Sequence, residues 1–293
     1  MNDNEISIAR SIISKIDSGE SWVFGEHINT ENEIAYKLFK DDSDKIIGVF
    51  FSSAYEKKIR IDIAFEYDIN DEDINKNLLD LILTSKQKRF EIADNPIDIW
   101  LFNENRYIIK YLEAEIGNGT ELHEKHTRYA SVEYIMRRKN FRKSNSQPKN
   151  IIIKSYEAEK LDEYLIMLDK SMTFSPHNFR EEKESMGKKL NEYSKADNKE
   201  FKAFWDNDTG NLIGVYWTED SEINDLAVSP EYQRKGYGSF ILTHAIERVL
   251  ENPERENARL YCVDWNEKGQ AFYKKYGMEV NGHSYQLTLN NPK

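Results

Sequence analysis

Cysteine is nearly absent: Cys262 is the only one in 293 residues, so neither an intramolecular disulfide nor a cysteine-based metal cluster can form. The six histidines, His123 and His126 among them, include no HExxH or comparable pairing with carboxylates, and no catalytic metal is expected. Basic charge is in deficit, with 41 Lys and Arg against 52 Asp and Glu, a formal net charge of -11 and a pI near 5.2. That balance argues against nucleic acid as the main partner, because a phosphate backbone requires an excess of cations. A cationic or neutral substrate suits it better. Long apolar runs are also missing, since none approaches the roughly 18 residues of a membrane span. The start, Met1-Asn2-Asp3-Asn4-Glu5, carries acid where a secretory leader carries base. A cytoplasmic protein without membrane contact is expected.

What is present is enough apolar material for real cores beneath a charged surface, with 12% aromatic and 32% charged residues. At roughly 100 to 200 residues per domain, this length favours two domains. A basic, polar stretch from Arg138 to Asn150, containing Pro148, reads as the join. The expected division is a first domain over 1–138, a linker over 139–149 and a second domain over 150–293.

The same order of elements occurs on both sides of that join. Lys45-Ile-Ile-Gly48-Val49-Phe50-Phe51 follows the polar turn Asp41 to Asp44, and Asn211-Leu-Ile-Gly214-Val215-Tyr216-Trp217 follows Asn207 to Gly210. Each reads as the second arm of a hairpin. A strand (Ile61 to Phe65; Ile223 to Val228), a Leu- and Ile-rich helix and a further strand (Ile97 to Phe102; Arg259 to Val263) come next in both halves. Each half then closes on a late strand, Ser131 to Met136 or Ser284 to Leu289. The repeat predicts tandem α+β domains.

The strongest local signal is Leu226-Ala227-Val228-Ser229-Pro230-Glu231-Tyr232-Gln233-Arg234-Lys235-Gly236-Tyr237-Gly238-Ser239. A strand ends at Val228, Pro230 opens a turn, and helical periodicity runs from Tyr237 to Leu250. Glycines at 236 and 238 let the backbone approach a ligand and aim its amides at one point. Those amides lie at a helix N-terminus, where unpaired donors and the positive dipole end favour a diphosphate. Arg234 and Lys235 add positive charge.

Gln233-Arg234-Lys235-Gly236-Tyr237-Gly238 resembles the pyrophosphate signature (Q/R)xxGx(G/A) of the GNAT superfamily of N-acetyltransferases. The resemblance continues from Val263 to Met278, where Asn266 matches the family asparagine after the splayed strand and Tyr273 the family helix tyrosine. The resemblance implies tandem GNAT-like domains, each a mixed, mainly antiparallel sheet flanked by helices, with acetyl-CoA as co-substrate of the second. It implies that Leu226, Ala227, Val228, Gln233, Arg234, Lys235, Gly236, Tyr237, Gly238, Ser239 and Asn266 hold that molecule. It implies further that Tyr273 protonates the departing sulfur. Phe272 and Tyr276, four apart, read as a core-facing helix stripe.

Strand alternation puts Glu222, Asn224, Leu226 and Val228 on one face, and Ile223, Asp225 and Ala227 on the other. Glu222 stands where histone acetyltransferases of the superfamily keep a catalytic glutamate, and Asp225 or a water chain are the other candidates for the base. The acceptor site of such folds is built by the stretch Ser171 to Phe179, which contains Phe174, Pro176 and His177. Glu219, Asp220, Glu222 and Asp225 point to a small, cationic amine as acceptor. A non-catalytic acyl-CoA-binding protein and a lysine or N-terminal protein acetyltransferase are the alternatives.

Aligning Ile61 with Ile223 sets Asp71, Ile74 and Lys76 against Gln233, Gly236 and Gly238, so the first half has no glycine loop. Asp71-Glu72-Asp73 would cap a helix and repel a diphosphate. No acetyl-CoA is expected there, and the first half is expected to shape the acceptor pocket or to support the second.

Overall fold

The computed structural model describes residues 1–55, 58–92, 96–117, 125–143, 148, 150–173, 175, 179–193 and 198–290. The chain divides into two compact units, Met1–Glu133 with Val280–Lys293, and Tyr134–Glu279.

The first unit contains α1 (Asp3–Ile13), α2 (Ser18–His27), β1 (Glu33–Lys40), β2 (Ile46–Tyr55), β3 (Lys58–Phe65), α3 (Glu72–Ile92), β4 (Ile97–Phe102), α4 (Arg106–Gly117), β5 (Lys125–Arg137) as far as Glu133, and the last strand, β11 (Glu279–Asn290), from Val280. Its strands run in the order β1-β2-β3-β4-β11-β5, antiparallel at β1/β2, β2/β3 and β4/β11 and parallel at β3/β4. Period-two alternation along β3 sends Ile59, Ile61, Ile63 and Phe65 into a core with Leu78 and Ile82 of α3 and Leu112 of α4. Ala64, with Val49 and Phe51 of β2, meets Ile12, Ile13 and Phe24 from α1 and α2 on the other face. α1 starts on a capping box, Asn2 Oδ1 accepting from the Glu5 amide at 2.9 Å and Glu5 Oε2 from the Asn2 amide at 3.1 Å.

The second unit contains the end of β5, β6 (Ile151–Lys154), α5 (Leu161–Ser171), α6 (Lys183–Tyr193), β7 (Lys199–Asp206), β8 (Leu212–Glu219), β9 (Glu222–Val228), α7 (Tyr237–Leu250), β10 (Asn257–Val263) and α8 (Glu267–Lys275). The order is β5-β10-β9-β8-β7-β6, antiparallel from β6 to β9 and parallel at β9/β10. Tyr164, Leu168, Leu190, Trp205, Val215 and Trp217 pack α5 and α6 onto one face. Both units are mixed α+β with mainly antiparallel sheets.

The repeat has a steric counterpart at its two matched glycines. A methyl group on Gly48 would lie 2.2 Å from the Phe65 ring, and one on Gly214 would lie 2.4 Å from the Ala227 carbonyl oxygen. Each glycine lets the next strand approach closely.

One expectation is corrected. Ser284 to Leu289 does not close the half that precedes it: Ser284 pairs with Phe102 and Leu289 with Ile97, so this strand completes the first unit's sheet. Tyr134 to Met136 falls in the second unit. The last strand belongs to the first unit and β5 divides between the two, and strand partners are long-range choices that a local hydrophobic pattern does not encode.

Candidate active site

The glycine loop is assembled by bonds back to the sheet. After β9, Pro230 starts a single 3-10 turn ending at Tyr232, whose hydroxyl donates to Asp206 Oδ2 at 2.8 Å. Gln233 Nε2 donates to the Val228 carbonyl at 3.0 Å, which ties the loop to the strand end. Arg234 (φ 61°) and Gly236 (φ 89°) are left-handed. A Cβ on Gly236 would meet nothing within 4 Å, so glycine is favoured there by backbone conformation. A Cβ on Gly238 would sit 3.6 Å from the Phe272 ring, an ordinary contact. α7 then begins at Tyr237, and the amides of Tyr237, Gly238 and Ser239 have no carbonyl of their own helix to meet. Gln233, Arg234, Lys235 and Gly236 are exposed, so open donors and two cations face outward together.

The preceding strand is interrupted by a bulge. Val215 of β8 pairs with Ala227 and Trp217 with Asn224, so two steps on β8 span three on β9. The extra residue falls around Asp225, at φ 42°. This corrects the expected faces. Asn224 lies opposite Trp217 and Ala227 opposite Val215, so both look towards α5 and α6, whereas Val228 looks towards α7 and α8, within 3.8 Å of a Cβ on Gly238. A bulge shifts the period of two by one residue, which strict alternation ignores. It also releases strand amides from the ladder.

On its other side β9 pairs with β10 only through Glu222 and Arg259. Beyond that pair the strands diverge towards the glycine loop. Tyr273 of α8 sits at this opening, its ring 5.6 Å from Tyr134 and 5.4 Å from Phe272. Burial raises its phenol well above the usual range, and the nearby Cys262, Asp225 and Tyr134 act in the same direction. Tyr273 therefore keeps its proton at neutral pH and can donate it. Asp225 and Tyr273 are thus brought to one place, although they lie in different motifs.

Glu222 Oε2 lies 3.5 Å from an Arg259 guanidinium nitrogen. Glu219 is held by Lys199 at 2.7 Å and by the Tyr193 hydroxyl at 2.7 Å; burial pushes its carboxyl up, and those two bonds outweigh it, leaving the group below its ordinary value. Asp220 lies 3.8 Å from Arg255. Three of the four acids expected to attract a cation therefore face cations of the chain itself. Asn266 caps α8, its Oδ1 accepting from the Gly269 amide at 3.0 Å. Burial pushes the Cys262 thiol up to about 12, which keeps it un-ionised. Phe174, Pro176 and His177 lie outside the described residues. Phe179 is buried, its amide bonded to Asp169 Oδ1 at 2.9 Å.

Two contributions were invisible in the motifs. Tyr134, at the end of β5, packs on Tyr273 and donates to Gln270 Oε1 at 3.2 Å; burial pushes its phenol up to about 12. The last residue of the expected first domain packs at the end of α7, with the Arg138 guanidinium donating to the carbonyls of Leu250, Asn252 and Arg255 at 2.7 to 2.8 Å. A cleft of about 820 Å³ opens beside the glycine loop, lined by Lys235, Ser239, Thr243, Arg142, Phe141 and Lys275 among others. Cations and an aromatic ring in one cleft suit a phosphorylated nucleoside. No local pattern marked Phe141 or Arg142.

Residues 165–278 match the model of the acetyltransferase (GNAT) family. The fold is similar to that of a GCN5-related N-acetyltransferase from Sphaerobacter thermophilus, at 12% identity and a TM-score of 0.54, over 96% of this chain and 90% of that one. It is also similar to a functionally unknown conserved protein from Staphylococcus epidermidis, at 14% identity and a TM-score of 0.53, over 88% and 96% of the two chains. No curated protein sequence matches the chain.

Proposed function

We propose that the second unit, whose residues 165–278 match the acetyltransferase (GNAT) family, transfers the acetyl group of acetyl-CoA to the primary amine of a small, cationic molecule by direct attack. One coincidence carries this reading. The β9 bulge, the divergence of β9 from β10 and the open N-terminus of α7 occur consecutively along one groove. Diverging strands admit a thin chain, the bulge offers amides to a carbonyl, and the helix start offers amides to a diphosphate. The cleft beside Lys235 receives the nucleotide end.

In the reaction, the amine nitrogen lone pair attacks the thioester carbon. Negative charge develops on the carbonyl oxygen, where strand amides from Leu226 to Val228 stabilise it. The C–S bond breaks as the tetrahedral intermediate collapses, and the sulfur takes the Tyr273 phenol proton. The amine gives up its proton to Asp225, Glu222 or a water chain. The un-ionised, buried Cys262 supports direct attack rather than an acyl-cysteine intermediate.

Among the described residues, the corresponding strands and helix of the first unit, β2, β3, β4 and α3, have none of the three features. The β2/β3 register runs unbroken from Gly48↔Phe65 to Tyr55↔Lys58, and β3 pairs with β4 at five successive positions, Ile59↔Ile97 to Ile63↔Leu101. Asp71 Oδ1 accepts from the amides of Asp73 and Ile74, each at 2.9 Å. A carboxylate thus holds the amides that a diphosphate would need, and this unit takes no acetyl-CoA.

The test is titration calorimetry with acetyl-CoA, followed by thiol release with a panel of polyamines, aminoglycosides and amino acids. One site per chain and turnover with cationic amines are expected. Two equivalent sites would refute the assignment of the first unit. Binding without thiol release would favour an acyl-CoA sensor, and turnover confined to anionic acceptors would overturn the substrate class.

A further inference from the structure

The helix that carries Tyr273 is held by few contacts. α8 has nine residues, none of them fully buried, and a helix that short has little stability of its own. Asn266 caps it through the Gly269 amide, and Gln270 Nε2 donates to the Asp264 carbonyl at 2.6 Å. Both bonds act on the first turn and lead back to the loop from which the helix springs. Tyr273 lies one turn further on.

The phenol has no tether of its own either. Among the described residues the Tyr273 hydroxyl makes no hydrogen bond, so its proton is uncommitted and its direction is set by the rings around it. Two are in range for aromatic packing, Phe272 at 5.4 Å and Tyr134 at 5.6 Å. Phe272 belongs to α8 and moves with it. Tyr134 belongs to β5, next to β10 in the sheet, and is fully buried, so it is the ring that refers Tyr273 to the rigid part of the unit.

Tyr134 grips the helix at a second point. Its hydroxyl donates to Gln270 Oε1 at 3.2 Å, and Gln270 and Tyr273, three apart, share a helix face. Burial, with Cys262 and Asp264 acting in the same direction, pushes the Tyr134 phenol up to about 12. It therefore keeps its proton at neutral pH, and the bond to Gln270 persists. That proton is engaged, whereas the Tyr273 proton is not.

We propose that Tyr134 is the positioning residue of the general acid, setting where the Tyr273 phenol points without itself contacting acetyl-CoA. This rests on the proposed reaction and adds that the acid, from the helix after β10, is aligned by a residue that precedes the expected linker. A general acid works within about 2.6–3.2 Å of the atom it protonates. Misplacement by about 1 Å costs on the order of 10²-fold in rate, so a loosened ring shows in kcat.

The test measures thiol release from acetyl-CoA by the full chain, with spermidine as the amine probe, for Tyr134→Leu, Tyr134→Phe, Tyr273→Phe and the pair Tyr134→Leu with Tyr273→Phe. Tyr134→Leu removes the ring and is expected to lower kcat about 10- to 100-fold, with KM for acetyl-CoA nearly unchanged. Tyr134→Phe restores the ring and should lose about fivefold at most, the contribution of one neutral hydrogen bond. In the Tyr273→Phe background, Tyr134→Leu should cause no further loss, because nothing is left to position. Thermal unfolding confirms that each variant folds. If Tyr134→Leu does not, Gln270→Met decides in the same cycle: it cuts the tether at a half-exposed site, and kcat should fall severalfold only while Tyr273 is present. A loss of equal size in both backgrounds, or a rise in KM in place of a fall in kcat, would overturn the positioning role and leave the reaction standing. No thiol release by the wild type, or a Tyr273→Phe variant as fast as the wild type, would refute the proposed reaction and take this inference with it.

Discussion

Replacing Asp17 with Asn should stabilise the first unit at neutral and alkaline pH and leave it unchanged in acid. Asp17 is the N-cap of α2, and Asn caps as well as Asp does, so the substitution removes a titration without removing the cap. Burial, with the repulsion of Glu133, pushes the folded carboxyl from 3.8 up to about 7. Below pH 4 both folded and unfolded chains hold the proton, and the residue contributes nothing to pH dependence. Between pH 4 and 7 the unfolded chain releases the proton while the folded chain keeps it, so stability falls as pH rises. Above 7 the whole cost is present. Three pH units at 1.36 kcal/mol each amount to about 4 kcal/mol, and the 4% exposure of Asp17 leaves little solvent screening. The assay is urea unfolding from pH 4 to pH 8, with hydrogen exchange on β3 peptides reporting the first unit. The stability difference between variant and wild type should be near zero at pH 4 and reach several kcal/mol at pH 8. A difference that does not change with pH, or a wild type more stable than the variant at pH 8, would refute the reasoning.

Tyr273→Phe keeps the ring that packs on Tyr134 and Phe272 and removes the proton donor; kcat is expected to fall about 10²-fold or more with little change in KM, measured by thiol release. Gly236→Ala forces a side chain into φ 89° and is expected to cost about 1–2 kcal/mol in thermal or chemical unfolding, with weaker acetyl-CoA binding, whereas Gly238→Ala should be near neutral for stability. Arg142→Ala combined with Lys275→Ala should raise KM for acetyl-CoA about tenfold, roughly the loss of one or two charge-assisted bonds, and leave acetyl-pantetheine turnover unchanged. Gly48→Ala should destabilise the first unit by about 1–3 kcal/mol through overpacking against Phe65, read by the same β3 exchange.

The glycine loop was legible because each of its requirements is local. Pro230 sets a turn, Gly236 supplies a left-handed residue, and helical periodicity from Tyr237 marks where open amides begin. The expectation of acid at the start of the corresponding first-unit helix was local as well, and Asp71 does cap α3. The faces of β9 were misread because the bulge is a property of the β8/β9 ladder, and nothing in Glu222 to Val228 alone announces it. Tyr134 escaped notice because it lies on β5, far along the chain from the Tyr273 it packs against.

The sequence by itself determined which elements form, that their order occurs twice, and where a glycine loop leads into the open start of a helix, because turns, caps and periodicity act over a few residues. Tertiary structure alone decided that the last strand completes the first unit, that β9 bulges and parts from β10, and that the first unit buries Asp17 where the charge of Glu133 acts on it. Those features depend on which strands pair and in what register, and pairing is settled by packing across the whole chain.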